Sequence, residues 1–180
     1  MHVICFGDSN TYGYDPRGYF GGRYAADSRW ADLLAAGTGW TVRNLGQNGR
    51  EIPPAAPVFP PDTDLLIVML GTNDLLQGRR PEQAAQRLER FLAGIALARG
   101  KILLIAPPPA APGTWVPDAQ FIDDSRIFAR LCQSLAAQRD IRFADAGAWD
   151  IPLAYDGVHF TAEGHRAFAA GLLETLRQFP

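Results

Sequence analysis

The chain has 180 residues, of which 47% are apolar and 20% charged, and its formal net charge is −2. These values suit one soluble globular domain with a core of its own, and they carry no basic stripe of the kind a nucleic-acid footprint needs. The longest apolar stretches, such as residues 65–70, are too short to span a bilayer.

Residues 2–6 read as a first strand, an apolar run that stops at Gly7. No basic n-region, long apolar stretch or small-residue cleavage site precedes it, so the expectation is no signal peptide and a cytoplasmic location. Ser28 suits the N-cap of a helix that carries Trp30, Leu33 and Leu34 and ends at Gly37 or Gly39. Residues 40–45 form a second strand. Residues 65–70 form a third, with the near-continuous apolar pattern of a strand covered on both faces. Pro81 suits the first turn of a helix whose apolar face is Leu88, Phe91, Leu92 and Ile95, with Gly100 as its stop. Residues 101–106 (KILLIA) are a fourth strand, and the following PPPAAPGTWVP can continue neither a strand nor a helix. Ile127, Phe128, Leu131 and Leu135 mark another helix, and residues 141–144 a fifth strand. The last helix starts at Thr161, with Phe168, Leu172, Leu176 and Phe179 on its inner face. Cys5 in a strand and Cys132 in a helix read as buried free thiols without metal-ligand spacing. The proline-rich stretch 53–61 is short and flanked by core elements, so it reads as a loop within one domain spanning 1–180.

Strands separated by helices imply βαβ units, a parallel sheet and helices on both of its faces. In such α/β sheets the site lies beyond the carboxyl ends of the strands. The segments there are GDSN after the first strand, GQNGRE after the second, GTND after the third, the proline-rich segment with Trp115 after the fourth, and YDGVHFT before the last helix. Together they hold one serine, one histidine with an aspartate three residues before it, and several Gly and Asn donors, which are the parts for acyl transfer. A serine hydroxyl needs a base to take its proton and a third group to orient that base. His159 is the candidate base and Asp156 its orienter, with Gly157 between them free to take an unusual backbone angle. The Ser9 N–H, a glycine N–H and the Asn73 amide can serve a tetrahedral oxyanion.

Plainer readings exist for each of these residues. Ser9 alone would be a turn or cap serine, and Asp8 reads as a turn-stabilising carboxylate that bonds nearby N–H groups. Asn73 and Asp74 could cap the next segment, but an amide serves an oxyanion where a carboxylate would repel it. His165 reads as a surface or packing histidine and His2 as structural or solvated. Asp156 and His159 as metal ligands lack an obvious third. Tyr12, Tyr14, Phe20, Trp115 and Trp149 sit in loops expected near the site, where they either line an acyl or alcohol pocket or simply pack. Pro107–Pro109 would stiffen one wall of such a pocket.

GDSN, QNGRE, GTND and DGVHFT, in this order from residue 7 to about 165, resemble the four sequence blocks of the SGNH hydrolases, the GDSL esterase/lipase family. The resemblance implies a flavodoxin-like three-layer α/β sandwich around five parallel strands, and ester hydrolysis without a cofactor or metal. Carried over block by block, it implies Ser9 as nucleophile, Asp156 and His159 as the rest of the triad, and Ser9, Gly49 and Asn73 as the oxyanion hole. Gly49 fits the block better than Gly46 because a polar residue follows it in NGRE. GDSNTYGYDP, SRW, NGRE and MLGTNDL are similar to the arylesterase-like and acetylesterase-like branch. Two departures are Tyr12, where many relatives carry Trp, and the short stretch between Arg50 and Asp62. The G-x-S-x-G elbow of the α/β-hydrolases does not fit, because Thr11 stands where a second glycine is needed.

The expected substrate is a small-molecule ester with a small acyl group, acetyl above all, bound through Tyr12, Tyr14 and Trp115. The alternatives are an acyltransferase or a carbohydrate or peptidoglycan O-deacetylase with the same residues, and a binding domain without catalysis. No nucleic-acid or membrane partner is expected. The proline-rich loops are either homo-oligomer interfaces or simply loops.

Overall fold

The computed structural model describes residues 1–18 and 22–178, so Phe20 and Phe179 lie outside the described residues. Five strands, β1 (His2–Gly7), β2 (Thr41–Gly46), β3 (Leu65–Met69), β4 (Ile102–Ala106) and β5 (Arg142–Asp145), form one parallel sheet in the order β2-β1-β3-β4-β5. This is the flavodoxin-like order, whose switch point lies between β1 and β3. The strands fall within a residue or so of their expected places.

Side chains alternate between the two faces of a strand. Val3, Cys5, Ile67, Met69, Leu103 and Ile105 therefore pack on one face, against α2 (Trp30–Thr38) and α6 (Ala162–Arg177), through Trp30, Leu34, Phe168 and Leu172. Ile4, Phe6, Leu66, Val68 and Leu104 pack on the other, against α4 (Pro81–Ala93) and α5 (Ala119–Arg139), through Leu88, Phe91, Phe128, Cys132 and Leu135. Burial on both faces is why β1, β3 and β4 read as unbroken apolar runs. Cys5 and Cys132 are buried and unpaired, and burial pushes both thiols far above their ordinary range. No described helix is long and apolar enough to cross a membrane.

Two helix ends differ from expectation. Ser28 does not cap α2, since its N–H and that of Arg29 both bond Ala25 O in a preceding turn, and its hydroxyl turns to Asp27 Oδ1 at 3.1 Å. Arg29 takes the N-cap place without a side-chain cap, and its guanidinium pairs with Asp32 in the first turn at 2.7 Å. Gly100 does not stop α4, which ends at Ala93. There Gly94 caps it and the Ile95 N–H bonds Leu92 O, a tightened turn that drops Ile95 into the core. Thr161 caps α6 as its position suggested, its hydroxyl accepting from the Gly164 N–H at 2.9 Å.

Candidate active site

Gly7 ends β1 at a place with no room for a side chain, because an added Cβ would stand 2.1 Å from Thr11 Oγ1 and 2.7 Å from Met69 O. The chain turns directly into a one-turn helix, α1 (Ser9–Tyr12), with Asp8 as its N-cap accepting from the Asn10 N–H at 3.0 Å. Ser9 thus stands at the carboxyl end of β1, beside the switch point. Two short elements bring up the rest. After β2, residues 47–50 make a turn in which Gly49 takes φ +70°. After β3, α3 (Thr72–Leu76) carries Asn73.

The 156–159 turn supplies the remaining partners. Asp156 is fully buried, and its Oδ1 accepts from the Val158 and His159 N–H groups at 2.9 Å each. Its Oδ2 lies 2.7 Å from His159 Nδ1, and His159 Nε2 lies 3.0 Å from Ser9 Oγ. Burial pulls the Asp156 carboxyl upward, but the hydrogen bonds from the His159 ring and the two backbone N–H groups outweigh it and hold the group below its ordinary value. An ionised carboxylate only accepts, so Nδ1 carries the ring proton and the lone pair of Nε2 faces the serine hydroxyl. Gly157 sits at φ +78° with its Cα against Ala111 O, so neither the angle nor the space admits a side chain. The proline-rich loop after β4 is laced onto this turn through the Ala111, Thr114 and Trp115 N–H groups, which donate to Gly157, Tyr155 and Asp156 carbonyls.

Ser9, His159, Gly49, Asn73, Tyr14, Trp115 and Asn48 line one cavity of about 240 Å³ open to solvent. The Tyr14 and Trp115 ring centroids lie 4.6 and 4.9 Å from that of His159. The Ser9 and Gly49 N–H groups have no hydrogen-bond partner among the described residues. Asn73 donates one amide hydrogen to Arg50 O at 3.1 Å, which orients the group and leaves its second hydrogen available. Gly46 is placed otherwise. Its N–H is taken by Asn44 Oδ1 at 2.8 Å, and its Cα lies against α1, where a Cβ would meet Tyr12 N at 2.1 Å.

Tyr12 does not join the cavity lining; its ring lies 4.5 Å beneath the Arg23 guanidinium. Trp149 takes the packing alternative, against Phe168 and Gly171 of α6, because its loop leaves β5 toward that layer and not toward the serine. His165 is a packing histidine, fully buried between Tyr24 and Phe160, and burial pushes its pKa down to about 3, so it stays neutral. No cluster of three or more metal-ligating side chains occurs among the described residues. Sequence reasoning missed Asn10, Asn48 and the ionic group around Asp74. Asn10 alone carried a signal, as the last residue of GDSN.

Burial raises the Asp8 carboxyl to about 6, against the opposing pull of the Asn10 N–H, His159 and Arg50. The fold therefore takes up a proton there more readily than the unfolded chain does. The stability that this supplies is complete below about pH 4 and is lost as the pH rises through about 6. Asp8→Asn keeps an oxygen for the Asn10 N–H and never ionises. The variant should be more stable than wild type at pH 7, by up to about 3 kcal/mol for a shift of roughly two units, and indistinguishable from it at pH 4. Urea midpoints at the two pH values test this, and equal midpoints at pH 7 would refute it.

The match to known proteins covers nearly all of the chain. Residues 5–167 match the model of the GDSL-like Lipase/Acylhydrolase family. No curated protein matches the chain. Among solved structures, a carbohydrate acetylesterase family member from Sinorhizobium meliloti superposes with a TM-score of 0.82 at 27% identity, over 99% of this chain and 98% of that one. The native M. smegmatis aryl esterase superposes with a TM-score of 0.79 at 28% identity, over 99% of both chains. A serine and histidine at hydrogen-bonding distance beyond the carboxyl ends of a 2-1-3-4-5 sheet suit the chemistry of these relatives, and the chain belongs to the GDSL-like lipase/acylhydrolase family as a carboxylic ester hydrolase.

Proposed function

We propose that the chain hydrolyses small-acyl esters through an acyl-enzyme on Ser9, with His159 as general base and Asp156 as its orienter. The observation that carries this reading is the continuous line of hydrogen bonds from Asp156 Oδ2 through His159 to Ser9 Oγ, at 2.7 and 3.0 Å. Ser9 Oγ attacks the ester carbonyl carbon while His159 Nε2 takes its proton. The Ser9 and Gly49 N–H groups and the Asn73 amide meet the developing oxyanion, each such donor being worth roughly 3–4 kcal/mol in the transition state. His159 then protonates the departing alcohol. Water, activated by the same nitrogen, attacks the acyl-enzyme and releases the acid.

The cavity supports a small acyl group. At about 240 Å³ it falls short of the roughly 300–1,000 Å³ of sites that enclose drug-sized ligands, and its walls include Asn48, Gly49 and Asn73. A sugar acetate is the second reading, favoured by Trp115, which lies at the cavity with 49% of its surface exposed and offers a ring to a sugar face. The similarity to a carbohydrate acetylesterase family member points the same way.

A fluorophosphonate probe should label one residue, Ser9, and the site is read by peptide mass spectrometry. Labelling that persists in Ser9→Ala would sink the mechanism. Across p-nitrophenyl esters from acetate to palmitate, kcat/KM should be greatest at two to four carbons. A maximum at long chains would reject the small-acyl reading.

A further inference from the structure

Asn10 follows Ser9 directly and is almost fully buried, at 4% exposure. Its own backbone is held at both ends, the N–H by Asp8 Oδ1 at 3.0 Å and the carbonyl by the Trp30 indole N–H at 2.9 Å. The side chain reaches across to residues some 150 positions away. Its Nδ2 donates to Val158 O at 3.1 Å, and its Oδ1 accepts from the Phe160 N–H at 2.9 Å. These are the two residues that flank His159. The carboxamide therefore bonds one donor and one acceptor on either side of the histidine, from a backbone locked to the serine's own turn.

No other side chain of this size fills both roles. An ionised aspartate cannot donate to Val158 O, a serine or alanine cannot span the gap, and leucine can do neither. Left unmade, the two bonds would strand a carbonyl and an N–H in a buried place. Asp156 controls the tilt of the imidazole through Nδ1, but it belongs to the same turn as His159 and moves with it. The 3.0 Å approach of Nε2 to Ser9 Oγ needs a link between the two loops. Among the described residues Asn10 is the side chain that ties the residues flanking His159 to the segment carrying Ser9.

We propose that Asn10 is a positioning residue for catalysis, acting through His159 by clamping the Val158–Phe160 backbone to the serine turn. The proposal rests on the Ser9–His159–Asp156 reading above. Asn10 does not line the cavity of Ser9 and His159, so ester binding there should be left alone. A histidine displaced by a fraction of an ångström to an ångström loses rate by up to about 10²-fold.

The test uses Asn10→Ala and Asn10→Asp, with each preparation titrated for active sites by fluorophosphonate so that misfolded protein does not count. The expected kcat per titrated site falls by on the order of 10–100-fold in Asn10→Ala, and by less in Asn10→Asp, which keeps the acceptor for Phe160. KM for p-nitrophenyl acetate stays within about threefold, as positioning without substrate contact requires. The downfield proton of the His159–Asp156 hydrogen bond, followed by NMR, should broaden or vanish in Asn10→Ala. A purely structural role would lower thermal stability but leave kcat per site and that proton signal as in wild type, and this result would overturn the proposal. Should Asn10→Ala not fold, Asn10→Asp decides alone, because wild-type kcat per site and an unchanged proton signal in that variant also overturn it. An active Ser9→Ala marks the different failure of the triad reading.

Discussion

Ser9→Ala should lower kcat for p-nitrophenyl acetate by on the order of 10⁴–10⁶-fold, leaving only the residual acceleration over water that the oxyanion donors and substrate binding supply. In the proposed mechanism the hydroxyl forms the acyl bond, and among the described residues no second hydroxyl lines the cavity except the phenol of Tyr14, a weak nucleophile. The fold should not suffer, because Ser9 Oγ bonds only His159 among the described residues. Melting temperatures of the two proteins should therefore agree closely while their rates do not. Asp156→Asn makes the companion test. Its amide can present an N–H to His159 Nδ1, which turns the ring to the wrong tautomer and should cost on the order of 10⁴-fold. A rate for Ser9→Ala equal to wild type would sink the esterase mechanism at its first step.

The second large effect is expected at some distance from the serine. Asp74 is fully buried, and its carboxylate accepts from the Ile52 N–H at 2.8 Å and faces Arg87 Nε at 2.9 Å and Arg79 Nη1 at 3.9 Å. Arg87 also donates to Ile52 O at 2.5 Å, and Arg79 pairs with Glu51 at 2.6 Å. This ionic group grips residues 51–52 from α3 and α4. Asn73, next to Asp74, grips Arg50 O from the same helix. The turn that carries Gly49 is thus held from outside the cavity by charges that take no part in it.

Arg87→Met keeps much of the packing and leaves the Asp74 carboxylate with Ile52 N–H and a distant Arg79. Breaking a buried pair on one side costs about 3–5 kcal/mol. Arg87 is partly exposed, so the lower figure applies, about 3 kcal/mol, or roughly 6–12 °C in Tm for a chain of this size. Burial already raises the Asp74 pKa against the pull of the Ile52 N–H and the two arginines, and the variant raises it further. A raised carboxyl favours the fold when protonated, so the deficit should narrow as the pH falls toward 4 and widen toward neutrality. kcat should drop by about tenfold as Gly49 loosens. Melting curves at several pH values and one kcat determination test both parts. A variant as stable as wild type at pH 7 would show that the carboxylate needs no arginine.

Much of the architecture was legible in the chain because the physics is local. A strand buried on both faces must be apolar throughout, and KILLIA and residues 65–70 declare this without a partner in view. Pro81 and Thr161 mark helix starts by backbone chemistry that needs only their neighbours. Ser28 misled because the turn closed onto Ala25 O puts Arg29, one residue later, at the N-cap, and Gly100 misled because the chain already leaves α4 at Gly94, where the Ile95 N–H bonds Leu92 O. The aromatic residues divided in the same way. Tyr14 and Trp115 flank His159, whereas Tyr12 went under Arg23 and Trp149 onto Phe168. A loop residue's direction depends on which layer its loop crosses.

The sequence by itself determined that a serine, an Asp–His turn and an Asn-bearing turn end up at one edge of a parallel sheet, since each follows a strand or precedes the last helix. Only the tertiary structure decided which of two glycines keeps an unpaired N–H. Asn44 and the α1 backbone occupy Gly46, and among the described residues none bonds the Gly49 N–H. It alone also disclosed Asn10, whose partners lie 148 and 150 residues away. Local propensity is written in neighbouring residues, but hydrogen bonds between distant loops exist only once the sheet has brought those loops together.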